Sequence, residues 1–254
     1  MENEILFDEF QDYVTKNIIP FFSGDTRKRF KIYFHELIKW NKMFNLISYK
    51  NKADLIYRHF CDSLYSAKVI SDIVNRKTSS LLRVRVADIG TGSGMPGIPV
   101  KIALPDIQLT LVESITKKCK FLENVNDKLG FDTEILNKRV EELGQLPSYR
   151  QQYDFVLSRA VSKFSPNLEI SIPLLKVGGY FIVHKTKNSV ESADEGLPSV
   201  ENALKHLGAK FEKIISYNLP NQKLNYCILV FKKYKDTPMQ FPRKTGIPEK
   251  NPLK

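Results

Sequence analysis

One glycine-rich segment constrains the fold of this 254-residue chain more than any other feature. It follows a short run of β-branched and aliphatic residues that ends at Ile89, and a helical pattern begins near Gly97. Glycines at alternate positions, Gly90, Gly92 and Gly94, tolerate a left-handed backbone and allow a ligand to approach closely. A strand, a glycine turn and a helix in this order are typical of a nucleotide-binding loop in an α/β sheet.

The rest of the chain fits an α/β fold preceded by helices. Apolar residues in the first eighty positions follow helical spacing, and a third helix is predicted from about Lys52 to Val74. From Leu81 onward, strand and helix patterns alternate, which predicts a mostly parallel sheet. The predicted strands cover 83–89, 107–113, 133–137, 154–158, 180–184, 211–217 and 226–231. A short Pro-containing loop joins the last two, so we expect them to form an antiparallel hairpin.

Three segments follow from these patterns: a helical cap (1–80), an α/β domain (81–231) and a basic, Pro-rich tail (232–254). The clearest helix runs from Thr116 to Leu129, with Thr116 as its expected N-cap and Gly130 after its end. The tail carries seven Lys and Arg residues and two acidic residues, a net charge of +5. Its prolines predict an extended backbone, which is either a solvated tail or a nucleic-acid contact.

Composition and charge indicate the cellular compartment and the kind of binding partner to expect. The whole chain has 39 Lys and Arg against 28 Asp and Glu, a net charge of +11 that attracts polyanions such as nucleic acid. The acidic N-terminus has no apolar stretch after it, and no apolar run approaches membrane-spanning length. Three widely spaced cysteines and four histidines lack disulfide or metal-site spacing. We therefore expect a cytoplasmic protein that binds no metal and no membrane. No sequence feature indicates the oligomeric state, and we assume a monomer.

Two cofactors fit the glycine loop. The residues from Gly92 to Gly97 satisfy the dinucleotide pattern G-x-G-x-x-G, whereas the run from Asp88 reads D-x-G-x-G-x-G, in which three glycines would wrap the methionine part of S-adenosylmethionine. Asp88 favours the second cofactor, because its carboxylate suits an ammonium group and does not suit a pyrophosphate. Glu113 ends the next predicted strand, where its two oxygens can accept both ribose hydroxyls.

The core Gly-Thr-Gly-x-Gly-x-Pro-Gly-Ile-Pro, which begins at Gly90, is a highly specific motif. Further motifs lie outside it: Trp40-Asn41-Lys42, Asn45-Leu46, Arg58-His59-Phe60, Asp62-Ser63-Leu64, Arg139-Val140-Glu141-Glu142, Ser158-Arg159-Ala160, and Phe241-Pro242-Arg243-Lys244 with Gly246 and Pro248. Over nearly the whole chain, these residues resemble the RsmG (GidB) family of bacterial 16S rRNA guanine N7-methyltransferases. Four positions depart from the usual family pattern: Glu113 replaces an aspartate, Thr186 a glycine, and Leu224-Asn225 a Glu-Arg pair.

The resemblance implies a fold and a cofactor site. The fold is that of class I S-adenosylmethionine-dependent methyltransferases, a Rossmann-like seven-stranded sheet, mostly parallel, with a C-terminal antiparallel hairpin. Gly90 and Met95 would contact the cofactor, and Val140 and Glu141 would flank its adenine. Arg159 would lie beside the cofactor at the mouth of the active site, and it is the one candidate for a catalytic side chain.

The resemblance also implies a substrate, guanine 527 (rRNA numbering) in the 530 loop of 16S rRNA, as naked RNA or within the small ribosomal subunit. Phosphates would contact four cations, and Phe164 would stack on a base. The cations are Arg58, Lys185, Arg243 and Lys244. Removing residues 232–254 is expected to weaken RNA binding and to leave cofactor affinity unchanged.

The sequence shows no convincing acid/base pair, which agrees with the methyl transfer that the resemblance implies. Guanine N7 carries a lone pair and no proton, so methyl transfer needs no general base, and orientation of the reactants supplies the catalysis. Two alternatives remain: a non-enzymatic RNA-binding or ribosome-assembly factor, and an NAD-dependent oxidoreductase. The second alternative lacks a recognisable Tyr-x-x-x-Lys motif or hydride-transfer pair.

Overall fold

The computed structural model describes residues 2–20, 22–76, 81, 84–161, 163–191 and 196–253. Its centre is a seven-stranded sheet in the order β3-β2-β1-β4-β5-β7-β6. All neighbouring strands are parallel except β7, which runs antiparallel to both β5 and β6. The strands are β1 (Arg85–Ile89), β2 (Gln108–Val112), β3 (Glu134–Leu136), β4 (Tyr153–Arg159), β5 (Leu175–Thr186), β6 (Ala209–Tyr217) and β7 (Tyr226–Lys233). The predicted fold class is thereby confirmed.

Strand β5 shows the largest difference between a predicted and an observed strand start. Strand β5 starts at Leu175, whereas the apolar run that predicts it starts only at Tyr180. Gly178 and Gly179 interrupt the pattern, and Gly178 has a left-handed backbone with φ of +88°. A Cβ atom on Gly179 would lie 3.0 Å from the carbonyl oxygen of Asp154 on the neighbouring strand. The register between β4 and β5 shifts at this point, so close backbone approach explains the glycines and the missed strand start.

Helices cover both faces of the sheet. They are α1 (Glu2–Asn17), α2 (Gly24–Asn41), α3 (Lys52–Asp54), α4 (Asp62–Arg76), α5 (Gly97–Ala103), α6 (Thr116–Leu129), α7 (Val140–Leu143), α8 (Phe164–Ser171), α9 (Lys187–Glu191), α10 (Glu201–Leu207) and α11 (Ile247–Lys250). A π-helical segment, Leu55–Cys61, joins α3 to α4, so the long helix predicted from Lys52 is observed as one continuous run. Within the described residues, no helix has both the length and the apolar character needed to cross a membrane.

The predicted cap of α6 is wrong. Thr116 is the first residue of this helix, and Ile115 occupies the N-cap position without a side-chain hydrogen bond. The Thr116 hydroxyl instead donates a hydrogen bond to Asn137 Oδ1 at 2.9 Å, so a tertiary contact takes up the group that would have capped the helix. Gly130 ends the helix in a left-handed conformation, as predicted.

The helical cap and the sheet share one apolar core. Phe60, in the π-helical segment, packs against Phe10 of α1 and stacks on Tyr33 of α2 with ring centroids 5.3 Å apart. Tyr33 also approaches Phe121 of α6 and donates a hydrogen bond from its hydroxyl to the carbonyl oxygen of Ser93 at 2.6 Å. The cap therefore reaches the glycine loop, and the first predicted boundary, near residue 81, is crossed by a continuous core.

The C-terminal tail differs from the extended segment that its prolines predict. Phe241 is only 5% exposed, and the ammonium group of the buried Lys233 donates to the carbonyl oxygen of Leu175 at 2.9 Å. The Arg150 guanidinium donates to the carbonyl oxygens of Thr237 and Phe241, both at 2.6 Å. Each of these contacts joins residues that are far apart in the sequence and follow no periodicity. The sequence pattern therefore did not predict them. Deleting residues 232–254 would remove part of the core as well as basic surface.

A buried polar cluster joins the cap to the sheet. Asp62, the first residue of α4, is 2% exposed, and its Oδ2 atom forms an ion pair with Arg159 Nε of β4 at 2.8 Å. The Tyr217 hydroxyl of β6 donates to Asp62 Oδ1, and His184 Nδ1 of β5 lies 3.3 Å from Oδ2. Burial by itself would raise the pKa of the Asp62 carboxyl, but His184 and Arg159 together lower that pKa well below its ordinary value.

We expect Asp62→Ala to destabilise the protein strongly, since it leaves the Arg159 charge without its partner in a largely buried site. The free energy of unfolding should fall by about 3–5 kcal/mol, as for other broken buried ion pairs. Urea unfolding followed by circular dichroism measures this change. The control Asp72→Ala, at an exposed position on the same helix, should change it by less than about 0.5 kcal/mol. Similar losses in both variants would contradict the role given to this cluster.

Candidate functional site

A cavity of about 520 Å³ lies at the carboxyl ends of β1, β2, β3 and β4. The strand order reverses between β1 and β4, and ligands of open α/β sheets bind at such a switch point. Four residues that the sequence associates with a cofactor line the cavity: Gly90, Glu113, Val140 and Glu141. The remaining five predicted residues lie outside the lining: Asp88, Gly92, Gly94, Met95 and Arg159.

Two glycines of the loop are required by its geometry. Gly90 has φ of +60°, and a Cβ atom there would lie 2.8 Å from the adjacent side chain of Val161. Gly94 has φ of +93°, and its Cβ would collide with the Ile98 side chain of α5. Any other residue would therefore strain the backbone and clash. The loop brings bare backbone to the cavity wall at Gly90, which permits close approach by a ligand.

Asp88 lies beneath the loop and holds it to the following helix. Its side chain is fully buried, and Oδ2 accepts hydrogen bonds from the Thr91 hydroxyl and from the backbone N–H of Gly97, the latter at 2.8 Å. Oδ1 has no hydrogen-bond partner among the described residues. Burial raises the pKa of the Asp88 carboxyl to about 7. Hydrogen bonds from the loop and from α5 thus engage Oδ2 alone. Contact of the Asp88 carboxylate with a cofactor ammonium group stays a prediction.

Glu113 follows β2 and bridges two turns of the site. Its Oε2 atom accepts from the backbone N–H of Gly92 at 3.0 Å, and Oε1 accepts from the N–H of Ile115 at 2.8 Å. These bonds fix the carboxylate at the cavity wall. Each oxygen keeps a second lone pair, so both can still accept a hydrogen bond from a ligand.

The third part of the wall comes from α7 and, unexpectedly, from the tail. Val140 and Glu141 begin α7, and Glu141 Oε1 accepts from the backbone N–H of Gly246 at 3.2 Å. Four tail residues line the same cavity: Thr245, Gly246, Pro248 and Glu249. The sequence predicts an extended tail that is either solvated or in contact with nucleic acid, and no pattern in it indicates that these residues pack beside α7.

Arg243 does not provide the free cation that was predicted for RNA. Its Nε atom donates to Glu169 Oε1 at 2.9 Å, and its Nη2 atom donates to Oε2 at 2.6 Å. Its backbone N–H donates to the same carboxylate at 2.8 Å. Glu169 of α8 is 0% exposed, so the guanidinium neutralises a buried charge, and this hydrogen bonding raises the pKa of Arg243. An internal partner thus engages the Nε and Nη2 atoms of this side chain, and an RNA contact by Arg243 stays a prediction.

The stacking role given to Phe164 is also wrong. Its side chain is 4% exposed and packs edge-to-face on Phe231, with ring centroids 5.8 Å apart. The ammonium group of Lys185 lies over the Phe164 ring, 5.1 Å from its centroid. Lys244 is exposed, and Arg58 is 39% exposed in an ion pair of 3.7 Å with Asp54. An RNA contact by these three cations stays a prediction, whereas Phe164 is part of the core.

Arg159 lies between the cavity and the cap. Its Nη1 atom is 3.6 Å from Met95 Sδ, and its Nη2 atom donates to the carbonyl oxygen of Arg58 and to His59 Nδ1, at 3.0 and 2.9 Å. Burial, with the nearby Arg159 charge, lowers the pKa of His59 to about 3, so its imidazole is neutral and can accept this bond. With Asp62 on Nε, the guanidinium is held in one orientation next to the glycine loop.

No metal site is evident in the part of the chain that the structure describes. Groups of three or more His, Cys, Asp or Glu side chains arranged to hold an ion are absent there. The described cavity is lined by carboxylates, the cations Lys138 and Arg139, hydroxyl groups and apolar side chains.

The raised pKa of Asp88 predicts a pH dependence of stability. The native protein binds a proton there that the unfolded chain, with an aspartate pKa of about 3.9, releases. The contribution of Asp88 to the free energy of unfolding is thus full below about pH 4 and is lost as the pH rises through about 7. Between about pH 5 and pH 7, the wild-type protein should lose about 2 kcal/mol relative to Asp88→Asn.

Urea unfolding at these two pH values measures the difference. Asp127→Asn, at an exposed position on α6, is the control, and it should follow the wild-type pH dependence. A parallel pH dependence in wild type and Asp88→Asn would show that Asp88 is ionised throughout.

Residues 26–214 match the family model of GidB, the rRNA small subunit methyltransferase G. A ribosomal RNA small subunit methyltransferase G of Alkaliphilus oremlandii is 40% identical over 220 residues, which cover 86% of this chain and 87% of that protein. The protein of the same name from Streptococcus pneumoniae strain R6 is 35% identical over 247 residues, covering 97% and 99%.

A solved structure shares the fold at low identity. A branched-chain polyamine synthase mutein of Thermus thermophilus, in complex with N4-aminopropylspermidine and 5'-methylthioadenosine, superposes with a TM-score of 0.57 at 12% identity. The match covers 81% of this chain and 64% of that one, and it supports the α/β sheet alone. The family model and the two relatives carry the assignment: this chain belongs to the rRNA small subunit methyltransferase G (GidB) family.

Proposed function

We propose that this protein transfers a methyl group from S-adenosylmethionine to N7 of a guanine in the 530 loop of 16S rRNA. One observation carries the proposal: in a chain of this family, Gly90 and Glu113 meet at one cavity, where the strand order reverses. The relatives' names specify small subunit rRNA, and guanine N7 in the 530 loop is the finer step that we add.

The cavity fits the proposed cofactor. Its volume of about 520 Å³ is within the range of roughly 300–1,000 Å³ that is typical of small-molecule sites. Glu113 offers two acceptors for ribose hydroxyls, and Gly90 allows the ligand to approach the backbone. We place the ammonium group of the methionine part toward Asp88, which lies outside the cavity lining and whose Oδ1 atom has no hydrogen-bond partner among the described residues. When bound, S-adenosylmethionine supplies an electrophilic methyl group on its sulfonium.

The residues of this chain act by orientation. Guanine N7 presents an in-plane lone pair, so no side chain has to remove a proton in the transfer. Asp62 and His59 hold the Arg159 guanidinium beside Met95, which gives this side of the loop a fixed shape and charge. Such positioning of two reactants is worth up to roughly 7–11 kcal/mol in favourable intramolecular models. The target base has to leave its stack to reach the cavity.

RNA binding is assigned to cations near the carboxyl ends of the strands. Arg58 lies next to Arg159, Lys185 lies near the end of β5, and Lys244 adjoins the cavity-lining tail residues. Lys138 and Arg139 are exposed and line the cavity. Their common location near the proposed methyl donor suits an RNA loop that enters from that side. We place this activity in the cytoplasm, on naked 16S rRNA or on the small subunit, by a monomeric protein.

The decisive experiment is methyl transfer to small-subunit RNA, with the position and mass of the modified guanine read by mass spectrometry. Wild type should produce N7-methylguanine in the 530 loop. Glu113→Ala should weaken S-adenosylmethionine binding by roughly 10- to 100-fold, since hydrogen bonds to a charged group contribute about 1.5–3 kcal/mol. Glu123→Ala, at an exposed position on α6, is the matched control and should bind like wild type in calorimetry.

Each alternative has its own outcome in these assays. RNA binding without methyl transfer would identify an assembly factor, and tight NAD binding without a response to S-adenosylmethionine would identify an oxidoreductase. Transfer to a different atom or loop would contradict the proposed target while leaving the enzyme class intact.

RNA affinity should depend steeply on salt concentration. The change in this salt dependence on mutation identifies the side chains that contact phosphates. Arg58→Ala and Lys244→Ala should each reduce the slope of log K against log salt by about 0.7, the value for one phosphate contact on single-stranded nucleic acid. Lys210→Ala is the control, because Lys210 pairs with Lys232 on β7 near the amino end of β5, at the opposite edge of the sheet. Fluorescence anisotropy with a labelled 530-loop RNA measures the slopes. Equal slopes in all four proteins would remove Arg58 and Lys244 from the interface.

A further inference from the structure

We propose that residues 243–249 of the tail, here called the strap, complete the subsite for the nucleobase of the methyl donor. The inference rests on the proposed function and adds a wall to its cofactor site. The strap's ligand would be an adenine nucleoside, not RNA. The sequence predicted the opposite, a basic tail that leaves cofactor affinity untouched.

The strap is anchored at its start by a buried ion pair. Both the guanidinium and the backbone N–H of Arg243 contact the carboxylate of Glu169, and Nη2 also donates to the carbonyl oxygen of Asn251 at 2.7 Å. A carboxylate with no solvent exposure requires such a partner, so this geometry specifies the position of the chain at Arg243.

The second anchor lies on the cavity wall itself. The backbone N–H of Gly246 donates to Glu141 Oε1 at 3.2 Å, which couples the strap to the residue expected beside the adenine. Gly246 has φ of +81°, and the N–H of Ile247 donates to the carbonyl oxygen of Lys244 at 3.0 Å, so a tight turn presents this N–H. Two anchors, one on α8 and one on α7, therefore hold the strap across one side of the cavity.

The position of the strap indicates which part of the ligand it meets. The sheet order places β3 beyond β2 and β2 beyond β1. If Glu113 at the end of β2 receives the ribose, the base extends toward the end of β3, where Val140 and Glu141 lie. Thr245 and Pro248 line the cavity together with these two residues. Adenine is uncharged, apolar on its faces and polar at its edge, which suits a wall of Val140, Pro248 and hydrogen-bonding groups.

Steric blocking tests the strap in the full-length protein. Thr245→Trp places an indole at an exposed cavity-lining position and should weaken binding of both S-adenosylhomocysteine and 5'-methylthioadenosine by at least about tenfold, the effect of some 1.4 kcal/mol. The control is Lys250→Trp, on α11 at an exposed position outside the cavity lining, and it should bind both ligands like wild type. Calorimetry measures the affinities, and thermal unfolding verifies that both variants are folded.

A second variant tests the hydrogen bond between the Gly246 N–H and Glu141 without filling the cavity. Gly246→Ala strains a left-handed position where a Cβ would meet no neighbour, so it should disturb the turn alone and weaken both ligands by about three- to tenfold. Because both ligands share the nucleoside, equal fold-changes for the two are expected.

The outcomes separate this proposal from the function on which it rests. Wild-type protein that binds neither ligand would overturn the proposed function. Wild-type binding with unchanged affinity in folded Thr245→Trp and Gly246→Ala would overturn the strap alone. Loss of RNA affinity at unchanged nucleoside affinity would likewise overturn it and return the segment to the RNA interface.

Discussion

The buried carboxylate of Asp62 is the interaction on which the arrangement of cap, sheet and site depends. It receives the Arg159 guanidinium from β4, the Tyr217 hydroxyl from β6 and the His184 ring from β5, while its own backbone begins α4 of the cap. A charge removed from water is stable only with such partners. The cap is consequently held in one position over the carboxyl edge of the sheet, where Arg159 contacts both Met95 of the glycine loop and the backbone of Arg58.

The walls of the cavity are likewise held in place by carboxylates that bind neighbouring segments of the chain. Asp88 binds Thr91 and Gly97 beneath the loop, Glu113 binds Gly92 from the next strand, and Glu169 holds the tail through Arg243. Three carboxylates thus position three backbone segments around one space. The proposed transfer to guanine N7, which needs no proton transfer and depends on alignment of N7 with a methyl group, would benefit from walls of this rigidity.

Much of the fold follows from local pattern. Alternating strand and helix signals predicted every strand of the sheet, the short loop between β6 and β7 predicted their antiparallel pairing, and the glycines predicted the loop where the cavity forms. The errors share a cause. Thr116 has a tertiary partner in place of a capping role, Phe164 packs into the core from the first turn of α8, and the tail has isolated anchors. Local periodicity contains no information about such partners.

By itself, the sequence determined the fold class, the glycine loop with Glu113 after the next strand, and the family, because each depends on residues close together in the chain or on motifs with fixed spacing. Only the tertiary structure decided that Arg243 faces Glu169, 74 positions away, that the tail lines the cavity, and that Asp88 lies buried under the loop. Burial and long-range ion pairing depend on how the elements pack, and a basic residue in the sequence looks the same whether it meets solvent, RNA or a buried carboxylate.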